Sequence, residues 1–471
     1  ETSTEFKDLL SETDKTYPQD NKQFDIIISN PPYSVSAFKG QMNETKANKG
    51  FELYNKLTDQ SKEIESLFIE RTKQLLKDGG VAGIILPTTI LNKTGIYTYT
   101  REIILKYFEI IAITEMGAST FMATDVKTVT LFLKRRNNAD WVNLQASVVK
   151  IFSNLQDITI NKIEKPVGKY LSHVWEDISF EDYKTLLEKA PNDNIKNHEI
   201  YQEYQKKIKA KSEQEKWNSI LALEQDKLLY FIIANPQKIV LIKTGDKKEE
   251  KRFLGYDFSD RRGSEGIHSM EKGKTIDDCT KLYDENIFDN PEKVSTYIYK
   301  AFSENKFDLE IPEHLQKNVS YINLVDTLTF NRISFDKSIS LSIKKKVKIE
   351  SKWDLVKIGE QIFEQPKSKI KVGTAKDSKK GGYKFFTSGE NILTYTEYLV
   401  DSENIYLSTG GNAIVKYYNG KASYSTDTFV IKSKNENNIK TKLIFYFLES
   451  IITLINQFYF KGSGLKHLQK T

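Results

Sequence analysis

Phe24-Asp25-Ile26-Ile27-Ile28-Ser29-Asn30-Pro31-Pro32-Tyr33 is the stretch that decides how the rest of the chain is read. Its first six residues form a short, isoleucine-rich apolar run, as a strand buried in a parallel sheet does. The run stops at two prolines, which cannot donate to a sheet ladder and which force the residue before them out of helical geometry. Asn30 is therefore expected at the carboxyl end of a strand, where open α/β sheets bind their ligands. With only ten prolines in 471 residues, a chance pair directly after such a strand is uncommon.

Residues 60–77 show helical spacing, with Ile64, Leu67, Phe68, Thr72, Leu75 and Leu76 on one side. Asp78-Gly79-Gly80 is expected to stop that helix, glycine being the usual terminator. Residues 81–86 form another buried-strand run, closed by Pro87. A helix over 101–108 and strands over 110–114 and 128–133 follow. Alternation at this pace predicts a doubly wound α/β sheet.

Composition sets the outer limits. The chain is long enough for two or three domains, and 39% hydrophobic with 28% charged residues describes a soluble globular protein. A net charge of +6 is mildly basic and compatible with a polyanionic partner. The single cysteine, Cys279, excludes internal disulfides and a cysteine-based zinc site and fits a cytoplasmic location. Five scattered histidines show no metal-ligand spacing, so no metal is expected. No secretory signal opens the chain, and the most apolar stretch, 443–460, is interrupted by Glu449, Asn456 and Gln457, so no membrane span is expected.

An asparagine and a backbone carbonyl at a strand end suit an amine nucleophile. Adenine's exocyclic amine is weak because its lone pair is delocalised into the ring. The Asn30 side-chain oxygen and the Pro31 carbonyl could accept its hydrogens and localise that pair, while Tyr33 stacks on a base flipped from the duplex. Asn30-Pro31-Pro32-Tyr33 resembles the catalytic motif of S-adenosylmethionine-dependent amino-methyltransferases that act on adenine in DNA. Similar motifs occur in enzymes that methylate glutamine in proteins or bases in RNA.

Residues 1 to about 136 resemble the modification subunits of type I restriction systems and the related single-chain fused enzymes. The helix, the Asp78-Gly79-Gly80 turn and the 81–87 strand follow the motif in that family's order. The resemblance implies that these strands are the later half of a Rossmann-like, seven-stranded methyltransferase sheet. One departure stands out. No glycine-rich loop following a strand precedes Asn30, so the family's S-adenosylmethionine-binding motif is expected to lie outside this chain. Gly117-Ala118-Ser119 cannot replace it, because it comes after the catalytic motif. Glu1 is not a methionine, and the chain is read as a fragment cut at its front. Phe121, in the Gly117-Ala118-Ser119-Thr120-Phe121 loop after the fourth sheet element, is a candidate to cover the other face of the base.

Residues 137–345 are read as a mainly helical connector. The 200–233 stretch is helix-prone with mixed charge of the kind found on solvated faces. In Phe253-Leu254-Gly255-Tyr256-Asp257-Phe258-Ser259-Asp260-Arg261-Arg262-Gly263, aromatics alternate with glycines and two arginines. Arg261 and Arg262 are candidates to contact a phosphate backbone, with a hairpin whose arginines pair with local acids as the alternative. Glu249-Glu250-Lys251 and Glu350-Ser351-Lys352 fit half of a nuclease site but lack a partnering Pro-Asp, and no nuclease is inferred.

Lys344, Lys345 and Lys346 open a third region, 346–471. Trp353-Asp354-Leu355-Val356-Lys357-Ile358-Gly359-Glu360 resembles the opening of a target-recognition domain in type I specificity subunits. Residues 383–431 alternate in the strand period, with turns expected at Thr409-Gly410-Gly411-Asn412 and Tyr418-Asn419-Gly420-Lys421, ahead of an apolar helix from Leu443. An α+β recognition module is expected here, with Lys384, Lys416 and the Lys344–346 run as DNA-binding candidates. The whole reads as an adenine-specific DNA methyltransferase of a restriction–modification system, acting on a flipped adenine in double-stranded DNA and associating with restriction or specificity subunits. The alternatives are an amino-methyltransferase for RNA or protein glutamine, and a non-catalytic DNA-recognition fragment.

Overall fold

Isoleucine and valine runs become the strands of a six-stranded sheet in the first part of the chain. The computed structural model describes residues 22–342 and 356–468, apart from 34, 37, 43–49, 118–119, 121–125, 177, 246, 260, 264, 331–332, 357, 378–380, 453–454, 456–459 and 462–466. Strand β1 (Phe24–Ser29) pairs in parallel with β2 (Leu76–Pro87), and helix α1 (Glu65–Leu75) makes the crossover between them. Helix α2 (Ile96–Tyr107) leads into β3 (Phe108–Met116), and β4 (Thr128–Arg135) inserts antiparallel between β2 and β3. Ile84, Leu86, Ile113, Leu131 and Leu133 are fully buried here, with Ile69 of α1 packed in the same core. The α/β class follows.

Two strands of this sheet come from the segment expected to be a connector. That segment is mainly helical. It includes α3 (Asn138–Asn154), α4 (Pro166–Val174), α5 (Phe180–Leu187), α6 (Glu199–Lys207) and α7 (Glu213–Ala234). The helix-prone 200–233 stretch thus splits into two helices, because Ser212 caps the second by accepting from the Glu215 N–H. Strand β5 (Lys238–Lys243) then pairs in parallel with β3. Helix α8 (Lys247–Leu254), a hairpin of β6 (Tyr256–Ser259) and β7 (Gly266–Ser269), helix α9 (Val294–Glu304) and the edge strand β8 (Val319–Asn323) follow. The sheet order is β1-β2-β4-β3-β5-β8. The chain divides into two compact units, Glu1–Ile343 and Lys344–Thr471, so residues on both sides of position 136 share the first.

Asp78-Gly79-Gly80 does not stop α1. The helix ends at Leu75, the Leu76 N–H still bonds back to Thr72, and the strand starts at once. The glycines form an irregularity inside β2, where pairing jumps from Phe24–Leu76 to Ile26–Val81 and Gly79 has φ +78°. Lys77–Asp25 (2.8 Å) and Lys22–Asp78 (3.1 Å) ion pairs flank it. Fully buried Leu76 anchors the chain before the extra residues, so the bulge carries them.

Glu70 of α1 is buried and accepts from the N–H groups of Glu52 and Leu53, the second at 3.0 Å. Burial pushes its carboxyl up from 4.5 to about 7, against the pull of those two bonds. A carboxyl with a raised pKa holds its proton more tightly in the folded chain. Its contribution to stability is therefore full below 4.5 and is lost as pH climbs through about 7. Between pH 5 and pH 8 the native protein should lose up to about 3 kcal/mol relative to Glu70→Gln. Urea unfolding of both proteins at the two pH values measures this, and parallel pH profiles would remove Glu70 as the cause.

The second unit is a mixed sheet of order β11-β10-β13-β12-β14-β9, formed by β9 (Ile362–Glu364), β10 (Tyr383–Phe386), β11 (Ile392–Tyr395), β12 (Val400–Ser408), β13 (Val415–Tyr424) and β14 (Thr428–Ser433). Ile405, Leu407 and Ile431 bury one face against Ile444 and Leu448 of α10 (Thr441–Ser450), giving the expected α+β module. The turn at Thr409-Gly410-Gly411-Asn412 connects β12 and β13. The second expected turn is absent. Tyr418-Asn419-Gly420-Lys421 lies inside β13, in continuous register with β12 from Val415–Leu407 to Ala422–Val400. Gly420 takes φ +126° there without interrupting the ladder.

Candidate active site

Asn30 is the first residue past β1, and strand pairing decides what stands beside it. Ser29 lies opposite Ile84, Pro87 opposite Thr128, Met116 opposite Thr128 and Glu115 opposite Lys243. One edge of the sheet therefore carries Asn30, the turn after Pro87, the loop after Met116 and the end of β5. Asn30 and Pro32 are exposed, Pro31 is buried and Tyr33 is half-buried. The Tyr33 hydroxyl donates to Asn30 Oδ1 at 2.8 Å. Burial, reinforced by the charge of Glu65, pushes that hydroxyl up to about 12, so it remains a donor across the neutral range.

Three residues behind this motif were not expected from the sequence. Glu65, in the first turn of α1, is fully buried and accepts a short hydrogen bond from the Tyr97 hydroxyl of α2. Burial and that carboxylate raise Tyr97 well above its ordinary range. Fully buried Arg101 donates to the carbonyls of Ile90 (2.8 Å), Lys93 (2.9 Å) and Asp336 (2.8 Å). It thereby ties the turn after β2 to the chain beyond β8. No local pattern distinguishes these residues, because each acquires its partner only through tertiary packing.

The arrangement offers one hydrogen-bond acceptor, Asn30 Oδ1, on an exposed residue at a strand end, with the Tyr33 hydroxyl bonded to it. Among the described residues β1 pairs on one side only, and Ile26 and Ile28 are 63% and 86% exposed. An edge so apolar and uncovered does not close a cofactor crevice by itself, so the described residues do not complete a site for S-adenosylmethionine. Phe121, Lys344, Lys345 and Lys346 lie outside the described residues.

The remaining candidates are dispersed. Arg261 and Arg262 are exposed at the turn of the β6–β7 hairpin, and no acidic side chain among the described residues pairs with either. In the second unit, exposed Lys384 places its ammonium 4.3 Å from the centre of the Tyr418 ring. Lys416 turns inward, donating to the carbonyls of Thr387 (3.2 Å) and Gly389, and burial lowers its pKa.

Residues 3–218 match the family described as N-6 DNA Methylase, and residues 350–471 match the Type I restriction modification DNA specificity domain. Over 181 residues the chain is 27% identical to the type II restriction enzyme and methyltransferase RM.Eco57I of Escherichia coli. That match covers 37% of this chain and 16% of the relative. Among solved structures, the chain is similar to the M protein of type I restriction enzyme EcoKI, at 22% identity over 25% of this chain and 22% of that one, with a TM-score of 0.20. It is also similar to a type I S subunit from M. genitalium, at 13% identity over 27% and 34%, TM-score 0.23. The type IIG restriction endonuclease BpuSI aligns over 95% of this chain and 46% of its own, at 14% identity and a TM-score of 0.25. One polypeptide thus contains an N-6 DNA methylase domain within residues 3–218 and a type I restriction modification DNA specificity domain over residues 350–471.

Proposed function

We propose that the protein is a site-specific DNA methyltransferase that transfers a methyl group to the exocyclic amine of adenine, in the cytoplasm, as part of a restriction–modification system. The observation that carries this is Asn30 Oδ1, exposed beside the Tyr33 ring at the carboxyl end of β1. Asn30 Oδ1 and the Pro31 carbonyl accept the two amine hydrogens and localise the nitrogen lone pair. The ring holds the flipped base in plane, at a cost of a few kcal/mol for extrusion. Family membership implies S-adenosylmethionine as donor. Since the described residues do not complete its site, only the acceptor side is derived. The specificity-domain match favours DNA over RNA or protein, and restriction or specificity subunits as partners. Label from methyl-tritiated S-adenosylmethionine, offered with DNA, RNA and protein together, should enter DNA as N6-methyladenine. Label confined to RNA or protein would overturn the reading.

Tyr33 has two separable parts. Its hydroxyl occupies one lone pair of Asn30 Oδ1, which the target amine needs. Tyr33→Phe keeps the ring and frees that lone pair, so transfer should stay within about threefold of wild type. Tyr33→Ala removes base stacking worth ~1–3 kcal/mol and should lower kcat/KM by roughly 5- to 150-fold. Equal losses in the two variants would assign the role to the hydroxyl instead.

The second unit selects the DNA sequence, because base edges carry the information and phosphate contacts set only register. Lys384, and the Lys344, Lys345 and Lys346 run if it touches phosphates, would supply sequence-independent affinity. Lys416 instead holds the turn at 387–389. Exchanging 383–431 for the matching segment of a relative should redirect methylation to another site at similar rate. An unchanged site would place recognition elsewhere, with the Arg261 and Arg262 hairpin the next segment to exchange.

A further inference from the structure

Two helices of the first unit begin at the sheet edge that carries Asn30. Strands β1 and β2 run parallel, so α1 starts at the edge where β1 ends and finishes where β2 begins. Both β2 and β3 are antiparallel to β4 and so share a direction, and α2 starts at the edge where β2 ends. Glu65 is the first residue of α1 and Tyr97 the second of α2, which places both at this carboxyl edge. Between Pro87 and α2 comes the turn 88–93. It continues from the strand next to β1, one strand spacing away, ~4.8 Å.

Glu65 and Tyr97 fasten that turn from its buried side. Both are buried, and the Tyr97 hydroxyl donates to the Glu65 carboxylate. The hydroxyl of exposed Thr89 in turn reaches the Tyr97 oxygen at 3.5 Å, a long contact. Lys93, at the far end of the turn, pairs at 3.2 Å with Glu63, just ahead of α1. Burying a carboxylate is costly unless hydrogen bonds offset it, so an acid kept at this junction is a strong anchor. The carboxylate is also felt at the motif. Burial first, and then the Glu65 charge, raise the Tyr33 hydroxyl, which bonds Asn30 Oδ1 at 2.8 Å.

We propose that Glu65 is a positioning residue for methyl transfer, acting through Tyr97 to hold the 88–93 turn beside Asn30. It touches no reacting atom. The inference rests on the reading of this edge as the acceptor site. Misplacing a group near the reacting atoms by about 1 Å can cost as much as 100-fold in rate.

The test uses the full-length protein with Tyr97→Phe, Glu65→Ala and Glu65→Gln. Tyr97→Phe keeps the ring and guards against simple misfolding of Glu65→Ala. Two readouts are taken. One is kcat and KM for labelled methyl transfer to DNA. The other is hydrogen exchange of the Asn92 and Lys93 amides, which bond to the Thr89 carbonyl at 3.2 and 2.9 Å. Tyr97→Phe and Glu65→Ala should speed that exchange at least fivefold and lower kcat about tenfold, with the KM for DNA near wild type. Glu65→Gln keeps an acceptor oxygen for the Tyr97 hydroxyl and should restore most of both. In an Asn30→Ala background, Tyr97→Phe should lower kcat less than twofold further, because the acceptor it helps to place is gone. Unchanged exchange would show that the pair does not hold the turn. Faster exchange with unchanged kcat would show that the turn does not serve transfer. A full tenfold loss repeated on top of Asn30→Ala would show an effect that does not run through the acceptor. Any of the three overturns the inference. If the wild type itself transfers no methyl to DNA, the functional reading fails and the positioning role falls with it, while exchange still decides whether Glu65 holds the turn.

Discussion

Asn30→Ala should lower kcat for methyl transfer by about 100-fold or more while leaving DNA affinity within about twofold of wild type. The size follows from the role. An acceptor aimed at hydrogens that become more acidic as the nitrogen attacks acts mainly in the transition state, and removing one such group costs ~3–4 kcal/mol in comparable sites. DNA affinity is dominated by phosphate contacts made elsewhere, so binding should not follow. Pre-steady-state transfer and fluorescence-anisotropy binding on the same preparation separate the two. Asn30→Asp keeps an oxygen but adds a charge, and should retain more activity than Asn30→Ala. Loss of binding in parallel with turnover would make Asn30 a scaffold residue and leave the acceptor role without its main support.

The largest effect on stability should come from Glu224. This fully buried carboxylate accepts from the hydroxyls of Tyr170 (2.9 Å), Tyr183 (2.7 Å) and Tyr204, and from the Trp175 ring N–H (3.1 Å). Lys227, also fully buried, lies 3.9 Å away and donates to the Tyr204 hydroxyl at 2.8 Å. Burial and the Glu224 charge hold all three tyrosines well above their ordinary range. Glu224→Ala strands four donors and an unpaired buried ammonium in one step. Breaking a buried pair costs ~3–5 kcal/mol and each abandoned donor adds ~1–3. A marginally stable domain has only ~5–15 kcal/mol in all, so the variant should be largely unfolded at 37 °C. Glu224→Gln keeps one acceptor oxygen and should lose clearly less. Denaturant unfolding followed by tryptophan fluorescence reads both, and a Glu224→Ala midpoint near wild type would mean that α4, α5 and α6 are held to α7 by apolar packing alone.

What could be read in advance followed local pattern. β2 to β4 were visible because a buried strand writes itself as a run of isoleucine, valine and leucine. β1 carries the same kind of run, but it stands at the sheet edge among the described residues, with Ile26 and Ile28 exposed rather than buried. Asn30-Pro31-Pro32-Tyr33 was visible because two prolines after such a run are rare. β5 carries the same kind of run, Ile239-Val240-Leu241-Ile242, but sits among helices, and sequence distance hid its place beside β3. Asp78-Gly79-Gly80 looked like a helix stop and Asn419-Gly420 like a turn. In both places glycine's freedom is used inside a strand instead: Gly79 lies in the unpaired stretch between Leu76 and Val81, and Gly420 stays in register with β12. Glu65, Arg101 and Glu224 were indistinguishable from the many charged residues of a chain that is 28% charged. Their meaning lies in burial and in partners far away in sequence, as with Arg101 and Asp336.

In the proposed function, the sheet edge that carries Asn30 presents an adenine of DNA for methyl transfer. The most direct test is base-modification sequencing of genomic DNA from a methylation-free host expressing the full-length protein, beside the same host expressing Asn30→Ala. N6-methyladenine is expected at one defined sequence in the first host, with near-complete loss in the second. Modified cytosine, no modified base, or an unchanged adenine pattern in the Asn30→Ala host would contradict it.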